Sequence, residues 1–244
     1  TRDRNKPPEE QVPMCGVPYH AANSYIKRLI DRGHKVAVCD QLEDPALTKG
    51  LVKRDVIRVI TPGTLTDEGM LDFERPNYIC ALWLEGGRGG AAFCEVSTGE
   101  FCAADFPEAA EEHIINELGS FAPNEAILSA GAQESRRVTD FLASKLSCMS
   151  QREDGLFEPG AAKALLLRRF GCADVRELGL DGCEGAVRAA GALLAYISDA
   201  QRCDMKHISR LDVIEGSSCM ELDYVTRRSL ELTETMRYGD KNGS

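Results

Sequence analysis

The stretch YICALWLEGGRGGAAFCEVSTGEFCAADF, residues 78–106, decides how the chain folds. Tyr78 to Glu85 is apolar up to its final Glu, and Gly90 to Ser97 and Glu100 to Asp105 are two further runs of strand length. The glycine-rich loop 86–90 and the Ser97-Thr98-Gly99 step are hairpin chemistry, because tight turns need residues that accept unusual backbone angles. Three consecutive antiparallel strands are predicted.

Downstream, Pro107 suits the first position of a helix, the acids Glu108, Glu111 and Glu112 suit its positive N-terminus, and Gly119 follows its end. Glu125 to Leu128 reads as a strand, Glu134 to Lys145 as a helix and Leu146 to Arg152 as a short strand. Pro159 to Phe170 is a helix closed by Gly171. This order is that of a ribonuclease-H-like mixed sheet, an analogy of fold and not of activity. Further on, Glu184 to Arg202 is helical, with Val187, Ala190, Gly191, Leu194, Ile197 and Ser198 on one face. Asp223 can cap a last helix carrying Leu222, Val225, Leu232 and Met236. Neither stripe has a cover within the sequence, so exposed patches and association through 220–238 are expected.

Upstream, Pro13 to Pro18 is turn-rich. A helix fits His20 to Arg32, with Ala22, Ile26, Leu29 and Ile30 as its stripe and Gly33 as its stop. Lys35 to Asp40 and Asp55 to Ile60 read as strands around a polar loop, and the acidic stretch 65–77 as a linker. The expected class is α/β. A small mixed α/β segment over 1–70 precedes a ribonuclease-H-like domain over 75–180 and an all-α segment over 183–244.

Hydrophobic residues at 43% and charged residues at 28% argue against disorder, and no uncharged apolar run is long enough to span a membrane. The start is charged and lacks a signal-peptide core or an initiating Met, so an excised piece of a cytoplasmic protein is expected. The net charge of −10 is uneven: residues 1–66 hold 11 Lys+Arg against 8 Asp+Glu, the rest 18 against 31. A mildly basic front suits an anionic partner, although chance accounts for so small an excess equally well. The ten cysteines contain no Cys-x-x-Cys, and the four His lie apart from any Cys pair, which excludes zinc-ligand spacing. Cys39, Cys80, Cys94 and Cys102 fall in apolar runs and are expected to be small buried hydrophobes.

A ribonuclease-H-like sheet raises metal-dependent nuclease or resolvase chemistry, which needs several carboxylates converging on two ions. The first strand, where an acid belongs, is wholly apolar from Tyr78 to Leu84. Glu95, Glu100 and Glu125 fall near strand ends and read as solvated edge charge. Gly-Gly-Arg-Gly-Gly lacks the Lys and the following helix of a phosphate-binding loop, and no nucleophile elbow occurs. The residues read as a binding and coupling module, without catalytic or metal-ligating residues.

The run Pro13-Met14-Cys15-Gly16-Val17-Pro18-Tyr19-His20-Ala21 closely resembles a hallmark of the MutS family of bacterial DNA mismatch-repair proteins. The resemblance continues, in order, through Val36 to Gln41, Asp44 to Ala46, Lys49-Gly50, Arg58 to Thr64, Tyr196 to Arg202 and Asp223 to Thr233. It covers nearly the whole chain. It implies the latter part of a mismatch-binding domain, a connector domain and the start of a helical core or lever. It also implies a homodimeric clamp on mismatched double-stranded DNA that recruits MutL. Family members with recombination or ribosome tasks lack one or both of the first two domains, so mismatch repair is expected. The family's Phe-x-Glu mismatch-reading motif belongs upstream of Thr1, and its ATP and magnesium site belongs far downstream. The piece itself is expected to be non-catalytic.

The expected DNA contacts are Arg2 and Arg4 at the front and Lys49, Lys53 and Arg54 in the loop, meeting phosphates. The resemblance adds Met14 and Gly16 beside a widened minor groove, where an apolar side chain presses on a step and a glycine lets the backbone approach. Ordinary packing for Met14 and solvated loop charge for the basic residues are the competing readings.

Overall fold

A computed structural model of the chain describes residues 5, 7–11, 16–43, 52–67, 69–71, 75–146, 149–151, 154–202 and 205–214. Helix α1 (Ala22–Ile30) ends where Gly33 turns left-handed at φ 78°, and the His34 N–H reaches back to the Leu29 carbonyl at 3.1 Å. Strands β1 (Val36–Gln41) and β2 (Arg54–Ile60) pair antiparallel with a shift of register at Val38/Cys39. Ile30 is buried, as the stripe predicted, but Leu29 is exposed. Cys39 is also exposed, against expectation. In this sheet of two strands the side chains alternate, and one set has little to cover it.

The quoted stretch forms β3 (Tyr78–Glu85), β4 (Arg88–Glu95) and β5 (Glu100–Phe106), antiparallel neighbours as predicted. After them come α2 (Ala110–Phe121), β6 (Glu125–Leu128), α3 (Ala130–Glu134), α4 (Arg136–Lys145), β7 (Met149–Gln151), α5 (Pro159–Phe170), α6 (Glu184–Gln201) and β8 (Asp212–Val213). The sheet order is β7-β6-β3-β4-β5-β8, with β6 parallel to β3, β7 to β6 and β8 to β5. This is the ribonuclease-H-like mixed sheet. The middles of β3, β4 and β5 are apolar because both faces are covered. Ile79, Ala81 and Trp83 point toward α5 and α6, whereas Cys80, Leu82 and Leu84 point toward α2, α3 and α4.

Several boundaries differ from the sequence reading, each for a packing reason. Only Gly86 and Gly87 make the first turn, at φ 58° and 81°, and Gly89 and Gly90 belong to β4. A side chain on Gly90 would begin 2.1 Å from the backbone of Gly185, so that glycine is set by the close approach of α6. Pro107 lies outside α2, which starts only after Ala109 at φ 47°. The helix runs on through Gly119 because Phe121 in its last turn stacks on Phe93, ring centroids 4.2 Å apart. The helix predicted over 134–145 is preceded by a separate α3, with Ser129 and Ser135 each capping a helix N-terminus.

The largest correction concerns 184–202. Its stripe was expected to lie uncovered, yet Val187, Leu194 and Ile197 are 7%, 1% and 0% exposed against the sheet and α5. The segment beyond 183 is also not wholly helical, since β8 adds a strand to β5. The expected helix after Asp223, and association through 220–238, lie outside the described residues.

Burial sets the thiols apart. It pushes the Cys80 and Cys94 thiols far up, and it raises Cys102 from 9.0 to about 11, with the Glu100 carboxylate adding to the effect. The part of the stability due to Cys102 is thus fully present below the unfolded value and fades as pH rises toward about 11. A thiol reagent at about pH 8 should modify Cys39 rapidly and leave Cys80 and Cys94 untouched until denaturant is added. Mass mapping that finds Cys80 labelled at the rate of Cys39 in the native protein would contradict the two-sided burial of β3.

Candidate nucleic-acid interface

The described part of the expected interface lies on the first unit, the residues with α1, β1 and β2 that precede β3. Gly16 is exposed, with nothing within 4 Å of where a Cβ would sit, so its backbone is open to close approach. Next to it Val17 is exposed, and Tyr19 is 97% exposed. Lys53 and Arg54 are both exposed at the start of β2. The Lys53 carbonyl accepts from the Leu42 N–H at 2.9 Å, and its own N–H donates to the Glu43 carboxylate at 3.3 Å. Arg54 pairs with Gln41 across the ladder. Successive residues of an extended chain point to opposite sides, so these two cations do not share one face. Arg2, Arg4, Met14 and Lys49 lie outside the described residues.

The other end of β2 holds what the sequence reading missed. Thr61-Pro62-Gly63-Thr64 forms a turn closed by the Thr64 N–H donating to the Thr61 carbonyl at 3.1 Å. This turn sits on Glu125, which is 0% exposed. The Thr61 hydroxyl donates to Oε2 of Glu125, and the Gly63 N–H donates to the same oxygen at 3.1 Å. Oε1 accepts from the Tyr196 hydroxyl at 2.6 Å and lies 3.2 Å from Lys35 Nζ. Lys35 in turn donates to the Tyr196 hydroxyl at 2.9 Å. A buried carboxylate is costly unless both its charge and its lone pairs are met, and this one has a cation and three donors around it. Tyr196 is pushed above the usual phenol range, by burial first and by the Glu125 charge next.

The rest of the junction comes from the C-terminal turn of α6. Gln201 donates to the Thr64 carbonyl at 2.6 Å, and Arg202 donates to the Val56 carbonyl at 2.7 Å from a left-handed backbone, φ 49°. Gly63 is required by proximity, since a Cβ there would lie 2.7 Å from Ile79 Cβ and 2.8 Å from Glu125 Cβ. The reading of Glu125 as solvated edge charge is therefore corrected. Its position at the head of β6 suggested an edge, but the first unit covers that edge.

The other two carboxylates weighed for nuclease chemistry are engaged locally. Glu95 accepts from Ser97 and Thr98 at 3.1 and 3.0 Å, and Glu100 accepts from the Tyr78 hydroxyl at 2.8 Å. Among the described residues no group of three or more His, Cys, Asp and Glu is arranged to hold a metal ion. No helix among them is long and apolar enough to cross a membrane.

Residues 1–69 match the family model "MutS domain I" and residues 77–209 match "MutS domain II". The chain is 39% identical over 241 residues to the DNA mismatch repair protein MutS of Alkaliphilus oremlandii, covering 97% of this chain and 27% of that protein. To the protein of the same name from Symbiobacterium thermophilum it is 42% identical over 236 residues, 96% of this chain and 27% of the relative. To that of Staphylococcus carnosus it is 36% identical over 244 residues, 100% and 25%. The chain thus spans about a quarter of the length of these relatives.

Proposed function

The chain belongs to the MutS family of DNA mismatch repair proteins, and from that premise we propose that it is a non-catalytic part that meets DNA and couples that contact to its connector domain. The observation that carries the reading is the course of β2. The strand begins at the exposed Lys53-Arg54 step and hands its far end, Thr61 to Thr64, to the buried Glu125. Force or displacement at the phosphates reaches the connector through one short, hydrogen-bonded strand.

In this reading Arg2, Arg4, Lys49, Lys53 and Arg54 meet phosphates, and Met14 with Gly16 lies along the minor groove. The mismatch-binding part ends near residue 70. The connector runs from about 75 and includes α6, because that helix completes the core of the sheet. Mismatched duplex DNA, MutL and a second subunit are the partners proposed for the whole protein, and the cytoplasm its compartment. In this reading the family's ATP and magnesium belong to another part of the whole protein. Gly86 and Gly87 turn one strand into its antiparallel neighbour and do not lead from a strand into a helix, unlike a phosphate-binding loop.

The test is a titration of matched and mismatched duplexes at two salt concentrations. Binding by this chain should be weak, salt-dependent and equal for the two duplexes. Lys53→Gln and Arg54→Gln should each weaken both duplexes alike and lower the salt slope by about 1. A clear preference for mismatched DNA by this chain, or salt slopes unmoved by both substitutions, would overturn the reading.

A further inference from the structure

Two of the sequence stretches singled out for family resemblance, Arg58 to Thr64 and Tyr196 to Arg202, are separated by more than a hundred residues yet meet on one atom group, the Glu125 carboxylate. Glu125 itself belonged to neither stretch. We infer that Glu125, held by Lys35 and Tyr196, is the positioning residue that fixes the DNA-facing unit against the connector.

Three features support this role over a general structural one. The contacts at Glu125 cross between units: Thr61, Gly63 and Lys35 come from the first, and Glu125 and Tyr196 from the second. They are ordered by direction. Thr61 gives its hydroxyl proton to Glu125, so the 2.8 Å contact between the two threonine hydroxyls is donated by Thr64, whose oxygen also accepts from the Thr61 N–H at 3.0 Å. The turn can satisfy all of these groups at once only when seated on the carboxylate. The same junction is also tied from α6 by Gln201 and Arg202, so the first unit is held on both sides of the turn. A buried network of this kind specifies a single arrangement, because a partly satisfied one costs more than none.

The inference rests on the coupling reading for its consequence but is tested without DNA, so the two can fail separately. Backbone amide exchange is followed in the whole chain and in Glu125→Ala, Glu125→Gln, Tyr196→Phe and Gln201→Ala. Glu125→Ala should speed exchange over residues 58–66, including the Gly63 amide, by at least about tenfold, with residues 79–84 and 91–94 unchanged. Glu125→Gln keeps an acceptor for the turn and should restore part of the protection. Tyr196→Phe should give a smaller, still local, increase. Unaltered exchange over 58–66 in Glu125→Ala would overturn the inference, as would equal acceleration in the sheet core, the mark of general destabilisation. If Glu125→Ala does not fold, Tyr196→Phe and Gln201→Ala decide by the same local-against-core comparison.

Discussion

Gly90→Ala is expected to lower the melting temperature of the chain by roughly 6–12 °C, from a loss of about 3 kcal/mol at about 2–4 °C per kcal/mol. By propensity alone the change should help, since glycine inside a strand costs roughly 0.5–1 kcal/mol relative to alanine. Geometry reverses the sign. The new methyl would sit 2.1 Å from the Gly185 carbonyl carbon and oxygen and 2.6 Å from the Ala186 nitrogen, all backbone atoms that cannot rotate away. Either β4 bows or α6 lifts off the sheet, and the core between them is loosened. Gly155→Ala is the control, with nothing within 4 Å and no left-handed backbone, and should be near neutral. Calorimetry on the two variants gives the comparison; equal melting temperatures would refute the close seating of α6 on β4.

Phe93→Ala should cost about 3–5 kcal/mol, the transfer of a large ring plus the cavity left behind. Phe93 is fully buried in the middle of β4 and stacks on Phe121 at 4.2 Å and 10°, while Tyr78 meets Phe121 edge-on at 5.1 Å. This trio and the buried Leu118 hold the last turn of α2 to the sheet. In a denaturant titration the midpoint should fall with the slope unchanged, because the folded surface stays the same. Phe93→Leu, which retains most of the volume, should lose about 1.5 kcal/mol or less. A loss under about 1 kcal/mol for Phe93→Ala would mean that α2 is not anchored there.

The sheet could be read from the chain because its cause is local. Strand-length apolar runs broken by Gly-Gly and by Ser-Thr-Gly allow few alternatives, and Pro159 with Gly171 brackets α5 at the residues found. The missed features have non-local causes. Gly89 and Gly90 look like turn residues until α6 is laid across them. Pro107 looks like a helix start, but Ala109 takes the left-handed angle and delays it. Glu125 looks like edge charge because nothing within its own strand reveals Thr61, Gly63, Lys35 or Tyr196, which lie 62 to 90 positions away in one direction or 71 in the other. The resemblance marked its neighbours on both sides and passed over the residue they share. Of the expected DNA contacts, Gly16, Lys53 and Arg54 stand exposed on the first unit as surface residues should. Exposure alone does not single them out, since patterning records which side chains avoid water and not what they touch.

Helix α6 packs along its length on the sheet and α5, and its two ends make contacts of different kinds. At Gly185 it rests backbone on backbone, and about 25 Å away, at 1.5 Å per residue, its Tyr196 to Arg202 end grips the turn on β2. A rod converts angle into travel. Tilting it by about 5° about the glycine fulcrum would carry the far end through about 2 Å, a lever arm set by helix length alone. That travel is comparable to the reach of the hydrogen bonds at the far end, 2.6 and 2.7 Å from Gln201 and Arg202. A tilt of that size would break the Gln201 and Arg202 hydrogen bonds.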